Sequence, residues 1–191
     1  MSQNIVESIA DRLSIPHLQK IDPNTQEVKH PEKNSGEFFY QAAIPAVLIA
    51  LYKFSRIKEG NTFILPDASS SNILKTILGP DHQYAVEKIA SYTGVTTDYA
   101  ASRMENIAKE ATEVINKDLP DNAKDEDIRD YFTDQRSAIL KYLPAGLQIG
   151  YVLHDETIDD RTNKMDGPMS NQMHWIEKLF SFNDRKKEEN W

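Results

Sequence analysis

Cysteine is absent from the chain, so it can form no disulfide framework, thiol nucleophile or thiolate metal site. Glycine is sparse and dispersed: Gly36, Gly60, Gly79, Gly94, Gly146, Gly150 and Gly167 never cluster, which excludes a phosphate-cradling loop. Long apolar runs are also missing. The longest, 42–52, is interrupted by Pro45 and is too short to span a bilayer. Period-two alternation is nearly absent, so strands are expected at most briefly, at 62–65 or 148–153. Positive charge is in deficit, with 22 basic against 30 acidic residues and a net charge of −8. That balance disfavours polyphosphate and anionic lipid as partners. The opening MSQNIVESIADRLSIP carries Glu7 and Asp11 and no continuous apolar run, unlike a secretory signal. A cytoplasmic protein with no membrane partner is the expectation.

What the chain does have is helical periodicity and enough apolar residues for one real core, 39% of 191. The pattern is clearest over 81–116, two helical stretches hinged on Gly94. In the second, Ala100, Ala101, Met104, Ile107, Ala108, Ala111, Val114 and Ile115 recur at spacings of three and four. Arg103, Glu105, Lys109, Glu110 and Glu113 fall between them, which predicts an amphipathic helix with one buried stripe. Val86, Ile89 and Ala90 form a shorter stripe ahead of Thr93-Gly94. Glycine can take the left-handed cap conformation that ends such a helix, and Thr96 or Thr97 can cap the next one.

The rest of the chain follows the same logic. Ile5, Val6, Ile9 and Leu13 predict a short helix over 3–14, which Pro16 discourages from continuing. Residues 22–36 are polar and aperiodic and read as a loop. Residues 37–57 contain FFYQAAIPAVLIALYKF, apolar on nearly every side, which predicts a central core helix that Pro45 kinks or restarts. The stretch 66–72, with Asp67, three serines and Asn72, offers caps for a helix through Ile73, Leu74, Ile77 and Leu78, and Gly79-Pro80-Asp81 ends it. A helix over 124–143 is expected to bury Ile128, Tyr131, Phe132, Ile139, Tyr142 and Leu143. Its opening Asp125, Glu126 and Asp127 suit the positive end of the helix dipole. Beyond Pro144-Ala145-Gly146 comes an irregular acidic segment, then an amphipathic helix over 168–182 with Met169, Met173, Trp175, Ile176, Leu179, Phe180 and Phe182. That helix carries enough apolar area to dock on the domain or on a partner. The expected fold is all-α: a compact array of about six or seven helices with a central apolar helix and a helical hairpin. One helical domain covers 1–145, and 146–191 holds the irregular segment and the last helix.

The block IPAVLIALYKF, the Gly60 turn and ILGPDHQYAVEKIASYTGVTTDYAASRMENIAKEATEVI together resemble the YidB-like family of bacterial proteins, a domain of unknown function. The resemblance covers roughly 38–116, and the tail from Leu143 is similar to Bacteroidetes-type members. It implies a cytoplasmic helical domain with no established activity and no catalytic residues to carry over.

Three patterns invite a functional reading. VEKIASYTGVTTDYAASRMEN has the outline of a DNA-binding helix-turn-helix. Its register puts Ala100 and Arg103 where two core residues belong, and 81–118 holds seven acids against four bases, too few to neutralise phosphates. His154, Asp155, Glu156, Asp159 and Asp160, followed by Asn163 and Asp166, offer oxygen ligands and an acid–base pair. The calcium-loop glycine and bidentate glutamate are out of register, and Thr157 and Asp159 suit local backbone capping instead. The other histidines, His17, His30, His82 and His174, have no paired spacing, and Ser69-Ser70-Ser71 lacks the glycines of a nucleophile elbow. The sequence therefore reads as a non-enzymatic helical module acting through protein–protein contact, with self-association as its form. No catalytic residue, metal or cofactor is assigned. A helix-turn-helix DNA-binding regulator is the alternative, and a metal-dependent enzyme using 154–166 the third reading.

Overall fold

Residues 36–54 leave a helix no polar side to show to water, and the rest of the fold follows from that. In the computed structural model, which describes residues 4–22, 25, 27, 28, 36–56 and 66–159, this stretch is helix α2, Gly36–Phe54. Every residue from Phe38 to Leu51 is buried except the half-buried Tyr40. Helix α1 (Ile5–Arg12), α3 (Ile73–Leu78), α4 (His82–Thr93), α5 (Thr97–Asp118) and α6 (Asp125–Leu140) all pack against it. Two further short helices, α7 (Ile149–Val152) and α8 (Glu156–Asp159), complete the order, with 3-10 turns at Gly79–Asp81 and Ala145–Leu147. Among the described residues there is no strand, so the fold is all-α.

Pro45 neither ends α2 nor starts a new helix; the element runs through it. Proline cannot return a hydrogen bond to the carbonyl of Gln41 one turn back, and dense packing on both sides holds the helix across that gap. Gln41 itself is buried, and its side chain is fully used. Its Oε1 accepts from the Gln19 N–H at 2.8 Å, and its Nε2 donates to the carbonyls of Gln19 at 2.9 Å and Tyr142 at 3.0 Å. The extended segment after α1 is thereby strapped across α2 beside the turn that follows α6, where the Ile21 N–H also donates to the Lys141 carbonyl at 2.9 Å.

The α4–α5 hairpin forms as the periodicity predicts. Gly94 sits at φ +78°, ψ +20°, and both its N–H and that of Val95 donate to the Ala90 carbonyl, at 2.8 and 3.1 Å. Val95 packs against the core. Of the two candidate caps, Thr96 is the one used, its hydroxyl accepting from the Tyr99 N–H at 3.3 Å. The stripe on α5 is buried at Ala100, Met104, Ile107, Ala108, Ala111, Val114 and Ile115, joined by Thr112, whose hydroxyl donates to the Ala108 carbonyl.

Several expectations need correction. Helix α6 ends at Leu140 rather than 143, and Tyr142 and Leu143 are buried in the turn that follows. Gln135, a polar residue, lies on its inner face because its Oε1 accepts the otherwise free Ile5 N–H at the start of α1, at 3.2 Å. Residues 148–153 are not a strand, and the described part of the segment expected to be irregular, up to Asp159, is largely helical. It forms α7 and α8, and Leu147, Ile149, Val152, Leu153 and Ile158 join the same core cluster as α2. The two helices span four residues each, too short for a helical period to show in the sequence. The possible strand at 62–65 and the expected helix over 168–182 lie outside the described residues.

The positive φ at Gly94 carries a measurable cost for any other residue. Gly94→Ala should lower stability by about 1 kcal/mol, because a Cβ strains the left-handed conformation. Urea denaturation checks this, and an alanine variant as stable as the parent would contradict it.

Candidate functional site

The acidic residues near the end of the described chain are the strongest chemical candidates, and the structure shows what they bond. Asp159 turns back on α7: its Oδ1 accepts from the Gly150 N–H at 3.0 Å and its Oδ2 from the Tyr151 N–H at 2.8 Å. These are N–H groups that open a helix and have no intrahelical partner. Gly150 is required for that approach, since a Cβ there would lie 2.7 Å from the Asp159 carboxylate and 2.6 Å from the Asp155 carbonyl. Asp155 does the same for α8, accepting from the Thr157 N–H at 3.2 Å and hydroxyl at 2.7 Å. Both carboxylates are committed to backbone and turn geometry. Among the described residues, no group of three or more His, Asp or Glu side chains converges on a point where a metal ion would sit. Asp160, Asn163 and Asp166 lie outside the described residues.

His154 is held at φ +52° with its side chain 76% exposed, its Nε2 3.4 Å from Asp81 Oδ2. The Lys53 ammonium donates to its carbonyl at 2.9 Å. Of the other histidines, His17 is exposed and pairs with Asp11 at 3.1 Å, and His82 opens α4. His30 and His174 fall outside the described residues. The serine run turns on Asp67, whose Oδ1 accepts from the Ser69 N–H at 2.8 Å. That bond holds the Asp67 carboxyl below its usual range.

The expected cap for α3 is also reassigned. Asn72 makes no side-chain bond to the helix it precedes. The Ile73 and Leu74 N–H groups are instead taken by the two carboxylate oxygens of Glu105, on α5, at 2.9 Å each. A second distant carboxylate, Glu27, joins three segments. It accepts from the Tyr92 hydroxyl at 2.7 Å and from the Gly146 N–H at 2.5 Å. Burial, then this neighbouring charge, pushes the Tyr92 hydroxyl pKa well up. Burial and Asp118 do the same to Tyr131, and burial and Glu7 to Tyr142. None of these groups is legible as a partner from sequence, because each pair is far apart in the chain.

The second helix of the hairpin, α5, packs against α1, α2, α3 and α4. Its exposed residues, Asp98, Ser102, Arg103, Asn106, Glu113, Asn116, Lys117 and Asp118, mix both signs of charge. The Arg103 guanidinium lies over its own helix's Tyr99 ring at 5.4 Å, and Glu110 and Glu113 are engaged by Arg12 of α1. A recognition helix needs one free, basic side, which this arrangement does not supply.

Among the described residues there is a surface depression of about 530 Å³ lined by Asp81, Tyr84, Gly150, Tyr151, Val152, His154 and Asp155. Tyr84 and Tyr151 are 46% and 69% exposed. The signal for Tyr84 is present in the sequence, since it falls off the Val86–Ile89–Ala90 stripe. Tyr151 has no such signal, because its segment shows no period of its own. Two aromatic rings beside carboxylates and a histidine suit contact with another polypeptide, each tyrosine offering an apolar face and a polar tip.

No family model, curated protein or solved structure matches this chain. Its function is therefore argued from its own residues.

The Glu105 cap gives a direct test of how α3 is held. Glu105→Ala should cost roughly 1–3 kcal/mol, because the N–H groups of Ile73 and Leu74 lose a charged acceptor. Chemical denaturation measures it, and a loss below about 0.5 kcal/mol, the range of neutral surface changes, would show that the cap is dispensable.

Proposed function

We propose that the chain is a non-enzymatic, cytoplasmic helical module that acts through protein–protein contact, with self-association as its form and no nucleic acid or membrane as partner. The observation that carries this reading is the exposed pair Tyr84 and Tyr151, 46% and 69% accessible on the rim of one depression. Of the nearby carboxylates, Asp155 and Asp159 are spent on helix ends, and Asp81 faces the His154 ring at 3.4 Å. Exposed tyrosine beside a charged rim is the composition of a protein-contact surface. A net charge of −8 works against nucleic acid and anionic lipid, and no helix among the described residues is long and apolar enough to cross a membrane. Membership of the YidB-like family, proposed on 38–116, is compatible with this reading because that family carries no established activity.

Sedimentation velocity on the full chain, from low to high micromolar concentration, tests it. The expected result is a sedimentation coefficient that rises with concentration towards that of a dimer. A monomer at every concentration, together with no protein recovered by affinity purification from the native cell, would overturn the reading.

A further inference from the structure

The depression does not stand alone. The Lys53 ammonium reaches the His154 carbonyl at 2.9 Å, which joins the depression to the C-terminal end of α2. There the guanidiniums of Arg56 and Arg136 lie 4.8 and 5.8 Å from the Tyr52 ring centroid. Among the described residues, Arg56 also donates to the Thr133 hydroxyl at 2.8 Å and Arg136 to the Thr157 carbonyl at 3.5 Å. The result is one continuous surface with two halves. One half, beside Tyr52, is basic through Lys53, Arg56 and Arg136; the other, beside Tyr84 and Tyr151, is acidic through Asp81 and Asp155.

We propose that this surface is a two-fold self-association face whose occupant is a second copy of this chain. The proposal rests on the reading of the chain as a self-associating module and names the surface it uses. A partner of one sign would suit one half and be repelled by the other. A second copy related by a two-fold axis brings its basic half to the first copy's acidic half, and the reverse, so one arrangement satisfies both. The chain as a whole carries a charge of −8, which opposes association of two copies through most of their surface. A face holding both signs is where that repulsion is least. Tyr84 and Tyr151 then supply the aromatic area that interface centres favour.

The test compares the full chain with Tyr151→Asp, Arg56→Glu and Asp81→Lys, and with an equimolar mixture of the last two, by sedimentation equilibrium. Far-ultraviolet circular dichroism and melting curves accompany each variant to establish folding. Tyr151 and Arg56 are exposed, so their variants should keep the parent melting curve. The expected result is a dimer for the parent chain, with dimerisation weakened by about tenfold or more in each variant. The mixture should recover it, because the two reversed charges then face each other in one contact while the native Arg56 and Asp81 meet in the other. Recovery cannot arise from misfolding. Folded variants that dimerise like the parent, or a mixture that fails to recover, overturn this face while leaving self-association standing. A parent chain that is monomeric throughout overturns both.

Discussion

A helix apolar on every side can persist in water only if every side is covered, and α2 imposes that condition on the whole chain. Burying a large aliphatic or aromatic side chain contributes roughly 1.5–3 kcal/mol, and α2 buries Phe38, Phe39, Ile44, Val47, Leu48, Ile49 and Leu51. The remaining helices are amphipathic, each with one stripe, because their role is to supply the cover. Five of them, α1, α3, α4, α5 and α6, pack on α2 directly, and Leu147, Ile149, Val152, Leu153 and Ile158 extend the same core.

Apolar cover fixes which surfaces meet but leaves register loose, and polar side chains with long reach supply the register. Gln41 joins α2 to the strap at Gln19 and to Tyr142. Gln135 receives the first N–H of α1, Glu105 receives the first two of α3, and Glu27 ties Tyr92 to Gly146. Where the group served is buried, as the Ile5 N–H and the Tyr142 carbonyl are, leaving it without a partner would cost about 1–3 kcal/mol. Glu27 and Glu105 are therefore acids whose carboxylates serve the fold.

Local patterns are legible where the cause is local. The stripe on α5, the Gly94 cap, the cap at Thr96 and the all-apolar α2 each follow from spacing or backbone sterics within a few residues. The cap for α3 is not legible, because the acceptor at Glu105 lies 31 and 32 residues from its donors. Helices α7 and α8 span four residues each, too short for a 3.6-residue period to declare itself, so their segment reads as irregular. The capping role of Asp159 is readable in kind, since an acid near a turn often serves the backbone, but its target is not. The tyrosine-rimmed depression depends on Tyr84 and Tyr151 meeting across 67 residues of sequence. Only the fold brings them together, and with them the basic end of α2.

If α2 is the element on which the others depend, its amides should open only when the whole domain unfolds. Native-state hydrogen exchange resolved by residue measures this directly. The prediction is that amides between Phe39 and Leu51 exchange slowest of all, with an opening free energy equal to that of global unfolding, while those at the ends of α5 and α6 open sooner. Exchange from the middle of α2 at a lower free energy than from α5 would contradict the account.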